Sequence, residues 1–203
     1  EVTERFDLGE NSLVVEVACN DGYLLQYFLP KKVPILGIEP AKNVAKVAKE
    51  KGIPTITEFF GESLARELVE QGKSADLING TNVLAQVPDI NDFAAGFNIL
   101  LKPEGVLTLE FPHLLRLADE NQFDTIYHEH FFYFSLLAIE KIFGSHGLRV
   151  FDVHQLPTFG GSLRVFFCHE SSGRSEEPGV DTVRRLEADA GYHELSTYQT
   201  FDD

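Results

Sequence analysis

The 203 residues carry 32 Asp and Glu against 17 Lys and Arg, a net charge of −15, with 43% hydrophobic content. That much apolar material excludes a disordered chain, and the acidity argues against a nucleic-acid polymer as partner, because most of this surface repels phosphate. Cys19 and Cys168 are the only cysteines, too few for a disulfide framework or a zinc site. No apolar run is long enough to span a bilayer and no signal peptide is visible, so a reducing, cytoplasmic setting without a membrane partner is expected.

The opening stretch "EVTERFDLGENS" reads as a polar lead-in, and a start at Glu1 suggests a piece of a longer protein. "LVVEVA" (13–18) is a nearly continuous apolar run, the mark of a buried parallel strand. "GYLLQYFL" predicts a helix stopped before Pro30, and "PILGIE" (34–39) a second strand. "AKNVAKVAKEKG" sets Val44, Val47 and Ala48 against lysines, an amphipathic helix closed by Gly52. The alternation continues through "IPTIT", "GESLARELVEQG", "ADLING", "INDFAAGFNILLKPEG" and "GVLTLEFP", with a turn at Pro103–Gly105. Such repeated units predict an open, mostly parallel sheet with helices on both faces.

After Pro112 the pattern changes. Residues 114–135 carry no clean period; "LLAIEKIFGSHG" resumes as a helix, and "LRVFDVHQL" and "GSLRVFFCHE" flank the turn "PTFGG" as a hairpin-like pair. "SSGRSEEPG" has the composition of a linker, and "VDTVRRLEADAGYHEL" predicts a helix leading into a further region. The domain expectation is therefore residues 1–172 as one catalytic domain and 173–203 as a linker and the start of a C-terminal region.

The turn "EVACNDGYL" joins the first strand to the next element, where unpaired helix-start amides and small residues suit a nucleotide. Glu16, Ala18, Asn20 and Gly22 stand two apart, the E/D-x-G-x-G-x-G rhythm of S-adenosylmethionine (SAM)-dependent methyltransferases with Ala and Asn in place of the first two glycines. The alternative is a tight β–α turn without a ligand. Glu39, ending the second strand, is placed to accept ribose hydroxyls. Asn82 follows the fourth strand, where it faces the methionine end of SAM or serves only as a polar turn residue. Phe59 or Phe60 is a candidate flank for the adenine ring, or simply core.

The stretch "TIYHEHFFYFS" (125–135) concentrates titratable and aromatic side chains. A zinc-protease pattern needs histidines four apart on a helix; His128 and His130 are two apart, and a third ligand such as His113 would have to come from elsewhere, so no metal is assigned. Acid–base chemistry fits better: His130 as a base near neutral pH, Glu129 to orient it, Tyr127 to donate to an oxyanion, and phenylalanines to exclude water. A loop whose aromatics merely cover the sheet is the competing reading.

Together, "VVEVACNDGYLL", "ILGIEPAKNVA", "NVLAQVPDINDF", "GVLTLEFPHL", "QFDTIYHEHFFYFS" and "HGLRVFDVHQLPTFGGSLRV" resemble the SAM-dependent C-methyltransferases that act on nucleotide-linked 4-keto-deoxysugars. The resemblance implies an α/β, Rossmann-like class I methyltransferase fold with an antiparallel strand at the closing edge. It also implies SAM as cofactor, S-adenosylhomocysteine as product and a small-molecule sugar nucleotide as substrate, leaving the oligomeric state open. By resemblance His130 is the general base, with Tyr127 and Glu129 beside it. Family members often have His at the positions of Phe159 and Gln86, and zinc is expected only in an N-terminal domain outside this chain. O- or N-methylation of another small metabolite, and a non-catalytic SAM-binding domain, are the alternatives.

Overall fold

The computed structural model describes residues 2–199. Seven strands form one sheet in the order β3-β2-β1-β4-β5-β7-β6. They are β1 (Val14–Val17), β2 (Ile35–Ile38), β3 (Thr55–Ile56), β4 (Ala75–Thr81), β5 (Leu101–Pro112), β6 (Leu148–Leu156) and β7 (Ser162–His169). All neighbouring pairs from β3 to β5 are parallel; β7 runs antiparallel to both β5 and β6. The antiparallel strand thus slots between β5 and the outermost strand, β6. Eight α-helices accompany the sheet: α1 (Val2–Arg5), α2 (Lys42–Glu50), α3 (Glu62–Glu70), α4 (Ile90–Leu100), α5 (Leu114–Asp119), α6 (Leu136–Gly144), α7 (Pro178–Asp189) and α8 (Leu195–Gln199).

Two apolar layers follow from strand alternation. Val15, Val17, Val165 and Phe167 pack with Leu68 of α3, Phe97 of α4 and Phe143 of α6. Val14, Phe166 and Cys168 point the other way and pack with Leu25, Phe28, Ala48 and Phe151. β1 pairs with β2 on one side and β4 on the other, matching Val17 with Ile38 and with Gly80. The chain therefore reverses direction across the sheet between β1 and β4, and the crevice beyond those strand ends is where open α/β sheets take their ligands.

Two expectations are corrected. The helix expected over residues 22–29 is instead two short 3-10 turns, Leu25–Tyr27 and Leu29–Lys31. Pro30 lies within the second turn and Lys32 ends it in the left-handed region, so a continuous α-ladder does not form. The Pro103–Gly105 turn is part of β5, which starts at Leu101 opposite Ala75 and shifts register before Leu77, an irregularity that absorbs the proline. The helix expected after the linker-like stretch forms as α7, which follows the irregular residues 173–177 and packs on the same core, with Val180 and Val183 buried in it.

Candidate active site

The loop after β1 is built by backbone conformation. Ala18, Asn20 and Gly22 all have positive φ (57°, 50° and 77°), and the Gly22 N–H donates to the Cys19 carbonyl at 2.9 Å. A Cβ at Gly22 would also meet Ile53 Cδ1 at 2.1 Å, so the Ile53 side chain would have to shift. Across the loop, Glu39 is buried and its carboxylate accepts the backbone N–H groups of Asn20 (3.1 Å) and Ala41 (2.8 Å). An acid fixed in this way ties the ends of β1 and β2 into one wall.

Ala18, Asn20, Glu39, Phe59, Phe60 and Asn82 all line a cleft of about 740 Å³. Phe60 is only 8% exposed and packs against Phe93 and Phe97, whereas Phe59 is 85% exposed at the rim. Glu16 and Gly22 do not line the cleft. Glu16 is wholly buried beneath it, where Asn79 Nδ2 donates to Oε1 at 3.4 Å and Oε2 has no partner. Desolvation pushes its carboxyl up to about 8, against a partial lowering by the Asn79 bond. The sequence reading missed Tyr23, Thr81 and Asp92, which also face the cleft; nothing in their spacing marks them.

A second pocket of about 220 Å³ holds Tyr127, Glu129 and His130, together with Phe111, Tyr133 and Phe159. It shares Asn82 and Gln86 with the larger cleft, so the two cavities adjoin. The His130 ring meets Tyr127 edge-on at a centroid distance of 5.1 Å and Tyr133 at 5.7 Å. Glu129 lines the same pocket but makes no hydrogen bond to His130. His128 lies outside both cavities on an exposed turn, and no strand forms over 127–131 to point the two histidines the same way. The aromatic cover expected from "HFFYF" is partial: Phe134 is buried, but Phe131 is 61% exposed. Among the described residues no group of three or more His, Cys, Asp or Glu could hold a metal ion.

This second pocket is held by long-range ties. The Phe131 N–H donates to the Ala85 carbonyl at 2.8 Å, and His113 and Phe134 form an isolated parallel bridge. His113, weighed above as a third metal ligand, is tied to α7. It is buried and its Nε2 lies 2.8 Å from Glu187 Oε1 of α7. Glu187, 1% exposed, also accepts the N–H groups of Leu136 (2.5 Å) and Leu137 (2.9 Å) at the start of α6. The turn that carries Phe159, itself at φ 51°, is fixed from below: the His113 N–H donates to the Gly161 carbonyl and Gln122 Nε2 to that of Gly160.

Asn82 sits where the cavities meet, in the left-handed region (φ 53°), with its side-chain Oδ1 buried and without a partner. A buried amide oxygen left unpaired is costly, and its place fits a polar ligand that spans the cleft. The residues present therefore suit SAM: an acid for the ribose, an orphaned polar group for the amino-acid end, and aromatic walls.

The comparisons with known proteins bear on the family and the fold. A family described as "Methyltransferase domain" matches residues 2–153, and one described as "C-methyltransferase C-terminal domain" matches residues 157–203. The chain is 38% identical to the C-methyltransferase NovU of Streptomyces niveus over 98% of this chain and 47% of that protein. It is 25% identical to a ubiquinone biosynthesis O-methyltransferase of Bartonella quintana (strain Toulouse) over 48% of this chain and 40% of that one. The chain thus spans less than half the length of these relatives. Among solved structures, a SAM-dependent methyltransferase from Clostridium acetobutylicum superposes with a TM-score of 0.65 at 13% identity, covering 83% of this chain and 87% of that one. Magnesium protoporphyrin IX methyltransferase from Synechocystis PCC 6803, solved with bound SAM, gives 0.60 at 16% identity, covering 83% and 74%.

Proposed function

Because the chain belongs to the SAM-dependent methyltransferase family, we propose that it serves carbon methylation of a nucleotide-linked 4-keto-deoxysugar, with His130 as the base. The observation that carries this reading is the junction of two cavities at Asn82 and Gln86, one shaped for the cofactor and the other holding His130. The similarity to NovU, a C-methyltransferase, supports the carbon acceptor.

SAM, when bound, would supply an electrophilic methyl group to the acceptor carbon and leave as S-adenosylhomocysteine. Glu39 would accept hydrogen bonds from the ribose hydroxyls, Asn82 would hold the amino-acid end, Phe60 and the exposed Phe59 would flank the base, and Ala18 and Asn20 would keep the loop close. A hydrogen on a carbon beside a ketone is acidic; His130 takes that proton, and the electron pair moves onto the ketone oxygen as an enolate. Tyr127, against the His130 ring, donates a hydrogen bond to that oxygen, and Glu129 adds negative charge near the imidazolium that forms. Alignment of both reactants across the shared wall supplies much of the acceleration.

His130→Ala is expected to keep SAM affinity, measured by calorimetry, and to lose about 10²–10⁴-fold in methyl transfer. Undiminished turnover would sink the assignment. The match to an O-methyltransferase keeps a hydroxyl acceptor as the second reading. Solvent deuterium separates the two, since only carbon methylation requires exchange of a carbon-bound hydrogen beside the ketone.

A further inference from the structure

Tyr133 is the least explained residue of the His130 pocket. Its hydroxyl is buried and has no hydrogen-bond partner, although buried polar groups are nearly always paired. It lines the pocket, and its ring stands edge-on to His130 at 5.7 Å. Tyr127, also edge-on to His130, is 48% exposed, so water competes for its hydroxyl. Phe111 and Ala85 give the pocket buried apolar walls. A phenolic O–H is mainly useful there as a donor to an oxygen atom brought by the ligand, and a donor already desolvated gains most when charge develops on that oxygen.

We propose that Tyr133 is a catalytic residue, the buried donor to the substrate's carbonyl oxygen. This rests on the reading of His130 as the base. The C–H bond beside the carbonyl breaks, its proton passes to the His130 imidazole, and its electron pair ends on the carbonyl oxygen, which accepts a hydrogen bond from Tyr133. The hydroxyl stays protonated throughout, and no further reactant is consumed. Tyr127 then acts at the pocket mouth and Tyr133 at its wall, a two-donor arrangement around one oxygen.

The test is deuterium exchange from solvent into a nucleoside-diphosphate-linked 4-keto-deoxysugar, with S-adenosylhomocysteine in place of SAM. Four chains are compared: unaltered, Tyr133→Phe, Tyr127→Phe and His130→Ala. Tyr133→Phe removes one atom and leaves the ring packing in place. Expected is an exchange kcat lower by about 10²-fold, with KM within a few-fold and SAM affinity unchanged; Tyr127→Phe is expected to lose less. If Tyr133→Phe exchanges like the unaltered chain while His130→Ala does not, the role of Tyr133 is overturned and that of His130 stands. If the unaltered chain does not exchange, or His130→Ala exchanges equally well, both fall. A KM rise with unchanged kcat would also overturn the proposal, because it marks ground-state binding alone.

Discussion

The cofactor cleft and the His130 pocket share a wall but are built by opposite means. The cleft is made by the ends of β1, β2 and β4, three adjacent strands in regular parallel register, and by the short loops that follow them. The pocket hangs on residues 125–135, which have no strand and only one 3-10 turn, Phe123–Thr125. What holds that segment comes from far along the chain: Ala85, His113, and through His113 the buried Glu187 of α7. Local pattern builds the cleft, and tertiary ties build the His130 pocket. Both halves share backbone strain, for Ala18, Asn20, Asn82 and Phe159 all line them at positive φ, and such residues cluster where a site must be held in shape.

The contrast is sharpest in Glu16, which lies under the cofactor loop. Its carboxyl titrates near 4.5 when unfolded and near 8 when folded. Between those values the folded chain holds a proton that the unfolded chain has released, so stability falls as pH rises through the window, by ~5 kcal/mol from this group. Denaturant unfolding across this range should show that fall, and Glu16→Gln should flatten it. An equal slope in the variant would mean that the cleft is not tuned by this acid.

Glu187→Ala tests the other half. It strips acceptors from two amides and His113 at once, and is expected to cost about 4 kcal/mol of unfolding free energy. Amide exchange should rise in residues 127–137 and stay unchanged in β1 and β2. Uniform loosening of both regions would break the proposed division. The smallest effect is expected for Glu39→Ala: SAM titration should weaken by about tenfold, roughly 1.4 kcal/mol, with amide exchange in residues 127–137 unaltered.

The residues that form the cofactor wall were legible because helix and strand periods are local. "LVVEVA" and "PILGIE" announced β1 and β2, and Glu39 at the second strand's end followed from them. Glu16 shows the limit of that reading, since a two-residue spacing marks a motif but not which members face the cavity. Tyr127, Glu129 and His130 came from residue type and do meet in one pocket. Tyr133 was available from the three-residue spacing of Tyr127, His130 and Tyr133, but only its buried, unpaired hydroxyl singles it out. The pair His113–Glu187, 74 residues apart, carries no signal in the sequence.

Sequence by itself determined the order of the strands, the strand ends that border the cleft and the chemistry concentrated at 125–135. Those follow from hydrophobic period and residue type, which act over a few residues. Tertiary structure decided that β7 enters between β5 and β6, that α7 clamps the start of α6, and that the two cavities meet at Asn82 and Gln86. Such contacts arise when distant segments compete for the same buried space and the same unpaired amides, and no local pattern records the outcome.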